Sequence, residues 1–167
     1  MKSSFLVTLF LGIFLCMPAM QSESKGLEPV PFHQVHITSP FWASRIETNH
    51  RVSLPHSLQW CEKTGRIQNF EAAAGLADEE FEGLYFNDSD VYKVLEGAAY
   101  SLELFPDEEL EKQVDSIIEK IAAAQEENGY LNTFFTLEKP ENRWSNLKDM
   151  HELYCAGHLI EAAVAYY

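Results

Sequence analysis

The strongest constraint on the fold is a pair of apolar stripes that follow each other between residues 88 and 124. Both place apolar side chains at intervals of three and four, at Val91, Val94, Leu95, Ala98, Leu102 and Phe105, and then at Leu110, Val114, Ile117, Ile118, Ile121 and Ala124. This spacing follows the period of about 3.6 residues of an α-helix with one buried face. Asp88 or Ser89 is placed to cap the first helix. Pro106 is expected to end it and to occupy the first position of the second, which Asn128-Gly129 stops.

Two further helices are predicted on either side of this pair. The pattern is helical from Phe41 to about Lys63, with Pro55 expected to kink or break it. A last helix is predicted from about Leu147 to Tyr167. Its apolar stripe comprises Leu153, Ala156, Gly157, Ile160, Val164 and Tyr167. Because this stripe is still in register at the last residue, we expect either a partner that covers it or a chain that is a piece of a longer protein, and we favour the second.

The remaining segments carry weaker signals. Residues 25–41 are predicted to be an extended lead-in, and residues 35–38 could form one short strand. Three prolines oppose a helix in this lead-in: Pro29, Pro31 and Pro40. Residues 65–87 are expected to be irregular apart from a short helical piece at 71–74. The predicted fold class is therefore all-α, and the periodicity leaves a bundle, a solenoid and a ring of paired helices open.

The amino terminus has the pattern of a secretory signal peptide. Lys2 is followed by the apolar run Phe5–Met17, which is shorter than the roughly 20 residues needed to cross a bilayer, and small and polar residues come next. We therefore assign residues 1–24 to a signal peptide. The protein is expected to be exported, to the periplasm or the extracellular space, with no stable membrane span after cleavage. The alternative is an uncleaved membrane anchor. A lipoprotein signal ending at Cys16 is disfavoured, because Leu15 is larger than the residue that usually precedes such a cleavage site.

Acidic side chains dominate the charge. The sequence has 26 Asp and Glu against 12 Lys and Arg, a formal net charge of -14, and loss of residues 1–24 leaves this charge unchanged. Such a surface repels phosphates, which excludes nucleic-acid binding as a function class. Hydrophobic residues make up 46% of the chain, which is sufficient for one globular domain with a core.

Two cysteines and two histidines are the candidates for redox or metal chemistry. Cys61 and Cys155 could form one disulfide, but both lie in apolar helical contexts, which favours two buried thiols. The segment from His151 to His158 resembles the HExxH pattern of metalloproteases but has Cys155 in place of the second histidine. His151 and Cys155 are one turn apart and could share a metal ion. His158 lies about 10 Å from His151 along the helix axis, which is too far for all three to converge. We favour a packed helix without a metal.

The same histidines could instead belong to a ligand pocket. An aromatic loop, Tyr130–Phe135, is expected to face His151 and His158. Imidazoles beside aromatic rings are typical of a site for a carbohydrate or another small ligand. The alternative is that the aromatic rings of the loop pack between helices. Glu152 or Glu161 could act as a general acid, but no pair of carboxylates stands out.

Four stretches resemble, in their order and spacing, the N-terminal part of glycoside hydrolase family 127, the β-L-arabinofuranosidase family. They are Asn49–Phe70, Asp88–Leu102, Gln125–Phe135 and His151–Ala163. The resemblance covers nearly all of residues 33–167. It implies a partial (α/α)6-barrel catalytic domain over residues 42–167, about the first third of the barrel, in a family whose members also carry β-sandwich domains.

The resemblance also implies a reaction, the retaining hydrolysis of β-L-arabinofuranosides. In this family the nucleophile is a cysteine thiolate bound to zinc, which keeps a thiol deprotonated. Further cysteines and one glutamate hold the zinc, and another glutamate is the acid/base. These residues lie later in the family's sequence than this chain extends. We therefore expect no catalytic residue and no zinc ligand among residues 1–167, and no activity from this chain alone.

Two substrate-binding residues are implied by the same resemblance. His151 matches a family histidine that hydrogen-bonds the hydroxyls of arabinofuranose. Ser57 stands where characterised members resemble one another in having a glutamine that touches the sugar, so a related sugar stays open as the substrate. The expected partner of the complete protein is a carbohydrate. The alternative function is a non-catalytic helical module that binds carbohydrate or another protein.

Overall fold

The computed structural model describes residues 26–167, and the regular secondary structure in this part of the chain is helical, with no strand. The predicted signal peptide lies outside the described residues. Residues 32–167 form one compact unit. Its elements are a 3-10 turn at Phe32–Gln34, α1 (Pro40–Thr48), a π-helical turn at Asn49–Ser53, α2 (Leu54–Lys63), α3 (Gln68–Ala73), α4 (Asp88–Leu104), α5 (Glu108–Ala124), α6 (Thr133–Leu137), a 3-10 turn at Pro140–Asn142, and α7 (Glu152–Tyr166). None of these helices has both the length and the apolar character required to span a bilayer.

The lead-in contains no strand, so the possible strand at residues 35–38 is not formed. The first long helix begins at Pro40, two residues before the predicted domain boundary. Pro40 lies in the first turn of this helix, where a missing N–H costs nothing because that donor has no partner within the helix. The proline therefore starts a helix instead of opposing one.

Pro55 neither ends the helix nor breaks it. The chain stays helical from Pro40 to Lys63, with a wider π-helical turn at Asn49–Ser53 directly before the proline. There the N–H of Leu54 donates to the carbonyl oxygen of Asn49, five residues back. The wider turn changes the hydrogen-bond pattern at the point where the proline lacks a donor.

The two apolar stripes between residues 88 and 124 form α4 and α5, as predicted. Their buried members are Val91, Leu95 and Ala98 from α4, and Leu110, Val114, Ile117, Ile121 and Ala124 from α5. The helix starts differ from the prediction. Asp107 caps α5 by accepting hydrogen bonds from the N–H groups of Glu109 and Leu110, at 3.0 and 3.1 Å, so Pro106 lies outside the helix. The cap position of α4 is Asn87, and neither Asp88 nor Ser89 caps it.

The last helix begins at Glu152, five residues later than predicted, and packs with the opposite face. The side chains of Leu153, Ile160 and Val164 are 56%, 63% and 72% exposed. Cys155 and Ala162 are buried instead, with Leu159 and Tyr166 packed against the core. Because α7 is apolar around most of its circumference, its periodicity could not show which side is buried.

Candidate functional site

His151 is the residue immediately before α7, and its backbone has an unusual conformation. Its φ is 59° and its ψ is 18°, in the left-handed region that few side chains favour. Its Nδ1 atom lies 2.8 Å from the carbonyl oxygen of Asp149. A carbonyl oxygen only accepts, so Nδ1 carries a proton, and Nε2 is the ring nitrogen left for a ligand.

Three aromatic rings surround the His151 imidazole. The ring centroids of Tyr85, Phe86 and Tyr154 each lie 5.4 Å from its own centroid. The predicted aromatic loop contributes less than expected: only its Phe134 approaches this group, 6.1 Å from Tyr85. Tyr85 and Phe86 were not predicted to lie here, because residues 65–87 carry no period that would assign them to a face.

The segment between α6 and α7 is held by a buried carboxylate. Glu152 is 3% exposed and accepts hydrogen bonds from the hydroxyl of Tyr130 at 2.7 Å and the N–H of Trp144 at 2.9 Å. Burial is the main cause of a raised pKa of Tyr130, and the hydrogen bond to Glu152 raises it further. Arg143 lies 4.2 Å from the Tyr130 ring and pairs with Glu126. Glu152 is therefore a structural anchor beside His151, not an exposed general acid.

A second buried carboxylate joins α4 to the start of α6. Asp88 is 3% exposed and accepts hydrogen bonds from the N–H and the hydroxyl of Thr133, at 2.8 and 2.5 Å. Burial raises the pKa of Asp88 to about 6, against the opposing effect of the Thr133 hydrogen bonds. This contact explains why Asp88 does not cap its helix: its side chain is directed into the core.

Ser57 lies on α2 in an open cleft of about 320 Å³. Polar and aromatic side chains line the cleft around it: His56, Trp60, Arg66, Asp90 and Lys93. Arg66 Nε donates to Asp90 Oδ2 at 2.9 Å. Lys93 also lies near the surroundings of the other predicted site residue, because its Nζ is 4.7 Å from the centroid of the Tyr154 ring that contacts His151. The cleft at Ser57 and the aromatic rings around His151 therefore have Lys93 as a common neighbour.

Both cysteines are buried free thiols, which confirms the thiol prediction. Burial raises the pKa of Cys61, and it raises that of Cys155 to about 12. The Cys155 sulfur lies 3.8 Å from the carbonyl oxygen of Phe86, and the Nδ1 atom of His151 is hydrogen-bonded to the carbonyl oxygen of Asp149. Among the described residues, no third His, Cys, Asp or Glu side chain converges with these two to make a three-ligand metal site.

Comparison with known proteins places the chain among the glycoside hydrolases. The family model "Beta-L-arabinofuranosidase, GH127 catalytic domain" matches residues 34–167, and the chain therefore belongs to this family. It is 38% identical over 158 residues to the non-reducing end β-L-arabinofuranosidase of Bifidobacterium longum subsp. longum, an alignment that covers 80% of this chain and 24% of that protein.

Solved structures support the same assignment. A GH127 β-L-arabinofuranosidase from Geobacillus stearothermophilus T6 superimposes with a TM-score of 0.75 at 48% identity, covering 79% of this chain and 22% of its own. A second GH127 β-arabinofuranosidase gives a TM-score of 0.76 at 44% identity, covering 83% and 23%. The all-α class and the relation to a partial (α/α)6 barrel are confirmed. The chain spans about a quarter of the length of these relatives.

Proposed function

We propose that this chain supplies one wall of the sugar site in a retaining glycosidase that acts on β-L-arabinofuranosides or closely related sugars. The observation that carries the proposal is the fixed orientation of His151. Its Nδ1 proton is committed to Asp149, so its Nε2 atom is left to hydrogen-bond a sugar hydroxyl. Such a preset partner costs little further ordering when the substrate binds.

The aromatic rings around His151 suit the rest of a sugar. The rings of Tyr85 and Tyr154 stand at steep angles to the imidazole, 64° and 82°, and offer apolar surface next to its polar edge. Small-ligand sites combine such apolar walls with a few placed polar groups. A furanose presents C–H groups to the walls and hydroxyls to the imidazole.

The cleft at Ser57 is where we propose that the substrate preference differs from that of the characterised family members. Ser57 is short and leaves room beside Lys93 and the Arg66–Asp90 ion pair. Hydroxyl groups of a sugar can accept from Lys93 and Arg66 and donate to Asp90. A Ser57→Gln variant is expected to improve the kcat/KM for a simple β-L-arabinofuranoside, because the longer side chain restores the family's contact.

The bond-breaking chemistry is proposed to belong to residues outside this chain. In the family a zinc-bound cysteine thiolate supplies the nucleophile. We do not assign that role to Cys61 or Cys155, which are buried thiols and do not match the family's nucleophile in the resemblance. This chain's own residues orient the sugar: His151 hydrogen-bonds a hydroxyl, and the anchor at Glu152 holds the segment that presents His151.

Export is proposed together with this function. The mature protein is expected to begin between about residues 20 and 26, because the signal-peptide pattern ends there. Mass spectrometry of the secreted protein measures the new amino terminus directly. Secreted protein that still carries residues 1–15 would show an anchor instead of a cleaved signal.

The decisive experiment measures hydrolysis of matched aryl arabinofuranosides by protein expressed from the complete gene. We expect cleavage of the β-L-arabinofuranoside with retention at the anomeric carbon and little cleavage of the α-L-arabinofuranoside. His36→Ala, an exposed histidine in the lead-in, serves as the control for His151→Ala. Sugar binding without cleavage would favour the binding-module alternative, and neither binding nor cleavage would reject the sugar site.

A further inference from the structure

A cluster of side chains that can bind a metal lies where α4 and α7 pack together, apart from the proposed sugar contacts. Glu96 on α4 faces His158 and Glu161 on α7, and one liganding atom from each lies within 4.8 Å of the other two. His158 and Glu161 are three residues apart on one helix, a spacing that puts two side chains on the same face. The ligands therefore converge from two elements.

Only one of the two carboxylates at this point has an ion-pair partner among the described residues. Among the ion pairs of the described residues, none includes Glu96. The other carboxylate, Glu161, lies 2.9 Å from the Nδ1 atom of His158, and both are partly exposed, 60% and 22%. That Nδ1 atom is buried and has no hydrogen-bond partner. The imidazole nitrogen is thus close to an anion yet unsatisfied.

We propose that Glu96, His158 and Glu161 bind one divalent transition-metal ion of the zinc class. One imidazole nitrogen and two carboxylate oxygens are ligands that zinc accepts, at about 2.0–2.2 Å, and a fourth position can hold water. Tetrahedral ligands at these distances stand roughly 3.3–3.5 Å apart. The three liganding atoms lie within 4.8 Å of one another, so side chains must rotate to bring them to that spacing. Glu161 is free to rotate because its side chain is 60% exposed. An imidazole ligand favours zinc over magnesium or calcium, which prefer oxygen alone.

The ion at this site has a structural role, since it ties α4 to α7. The Tyr154 ring lies 4.5 Å from the His158 ring and 5.4 Å from the His151 ring, so the site is next to the proposed sugar wall without sharing its ligands. Neither cysteine takes part. The site is therefore separate from the cysteine-bound zinc that the family resemblance implies, and it does not depend on the proposed function.

The test counts metal ions on the protein expressed from the complete gene. The protein is stripped with a chelator and titrated with Zn²⁺ by isothermal calorimetry and with Co²⁺ by absorption spectroscopy. We expect one zinc equivalent to disappear in His158→Ala and Glu96→Gln, with affinity lowered at least about 10-fold in Glu161→Gln. Co²⁺ at this site gives d–d bands without the thiolate charge-transfer band that a cysteine site produces.

Matched variants separate metal binding from damage to the fold. Glu119→Gln, an exposed glutamate on α5, is the control and is expected to keep every zinc equivalent. Without metal, Glu161→Gln is expected to melt like the wild type; at the same Zn²⁺ concentration it should show a smaller rise in melting temperature than the wild type. Equal zinc binding by the wild type and all three site variants, or calcium bound as tightly as zinc, would overturn the proposal.

Discussion

Replacement of Asp88 by asparagine should remove a specific pH dependence from the stability of this domain. Asp88 is buried, and its pKa rises from an ordinary value of 3.8 to about 6 on folding. Between these values the unfolded chain releases the Asp88 proton while the folded chain keeps it. Unfolding therefore becomes more favourable as pH rises through this window, and the loss is complete above about pH 6.

The size of the effect follows from the shift. A difference of about two pKa units corresponds to about 3 kcal/mol, since each unit is worth about 1.4 kcal/mol. Asp88→Asn keeps the contacts with Thr133, because its carbonyl oxygen can accept from the backbone N–H and its amide can donate to the hydroxyl. Relative to the wild type, the free energy of unfolding of the variant should rise by about 2–2.5 kcal/mol between pH 4 and pH 7. The rest of the difference develops below pH 4, where the carboxyl of the unfolded wild type already titrates.

Urea unfolding of both proteins at a series of pH values from about 4 to about 7 measures the difference. Every other titrating group contributes equally to the two proteins, so only Asp88 changes the gap between their free energies of unfolding. Asp78→Asn, at an exposed position in the loop before α4, controls for the change in net charge. A gap between wild type and Asp88→Asn that stays constant across this range would refute the reasoning.

Three further outcomes are expected. His151→Ala should lower kcat/KM by roughly 2–4 kcal/mol, about 30- to 1000-fold, while His158→Ala has a smaller effect; a sharp fall in melting temperature with kcat/KM unchanged would make His151 a core residue. Tyr130→Phe should lower the free energy of unfolding by about 1.5–3 kcal/mol, because it deletes the shortest hydrogen bond to the buried carboxylate of Glu152, and denaturant titration measures this loss. Cys61 and Cys155 should react with a thiol reagent only after unfolding, since both are buried; fast labelling of the native protein would contradict their burial.

The sequence was most informative where one side of a helix is polar. In α5 the buried residues Leu110, Val114 and Ile117 alternate with exposed charged and polar ones, so the periodicity identifies both the helix and its buried face. In α7 nearly every position is apolar, and the prediction selected Leu153 and Ile160, which are exposed. Which face packs there depends on contact with α4, and this contact is not encoded in the period.

The candidate site could be predicted only in part for a similar reason. His151 and Ser57 were found through the resemblance to a family, not through local pattern. Tyr85 and Lys93 complete their surroundings from distant parts of the chain, and no spacing rule joins residues that meet only after folding. Asp88 was predicted to be a cap because an acidic residue at a helix start usually is one, whereas its partner Thr133 lies 45 residues away.

The π-helical turn before Pro55 has an evolutionary consequence. Such a turn holds one residue more than an α-helical turn, so a deletion within residues 49–53 can be absorbed by converting the turn to a regular one. The flanking helices would then keep nearly their present orientations, α1 with the exposed rings of Phe41 and Trp42 and α2 with Ser57. In a regular α-helix each residue turns the chain by about 100°, so the same deletion inside α4 or α5 would rotate part of the buried stripe away from the core. The π turn is therefore a place in this helical chain where its length can change by one codon without disturbing the neighbouring cleft.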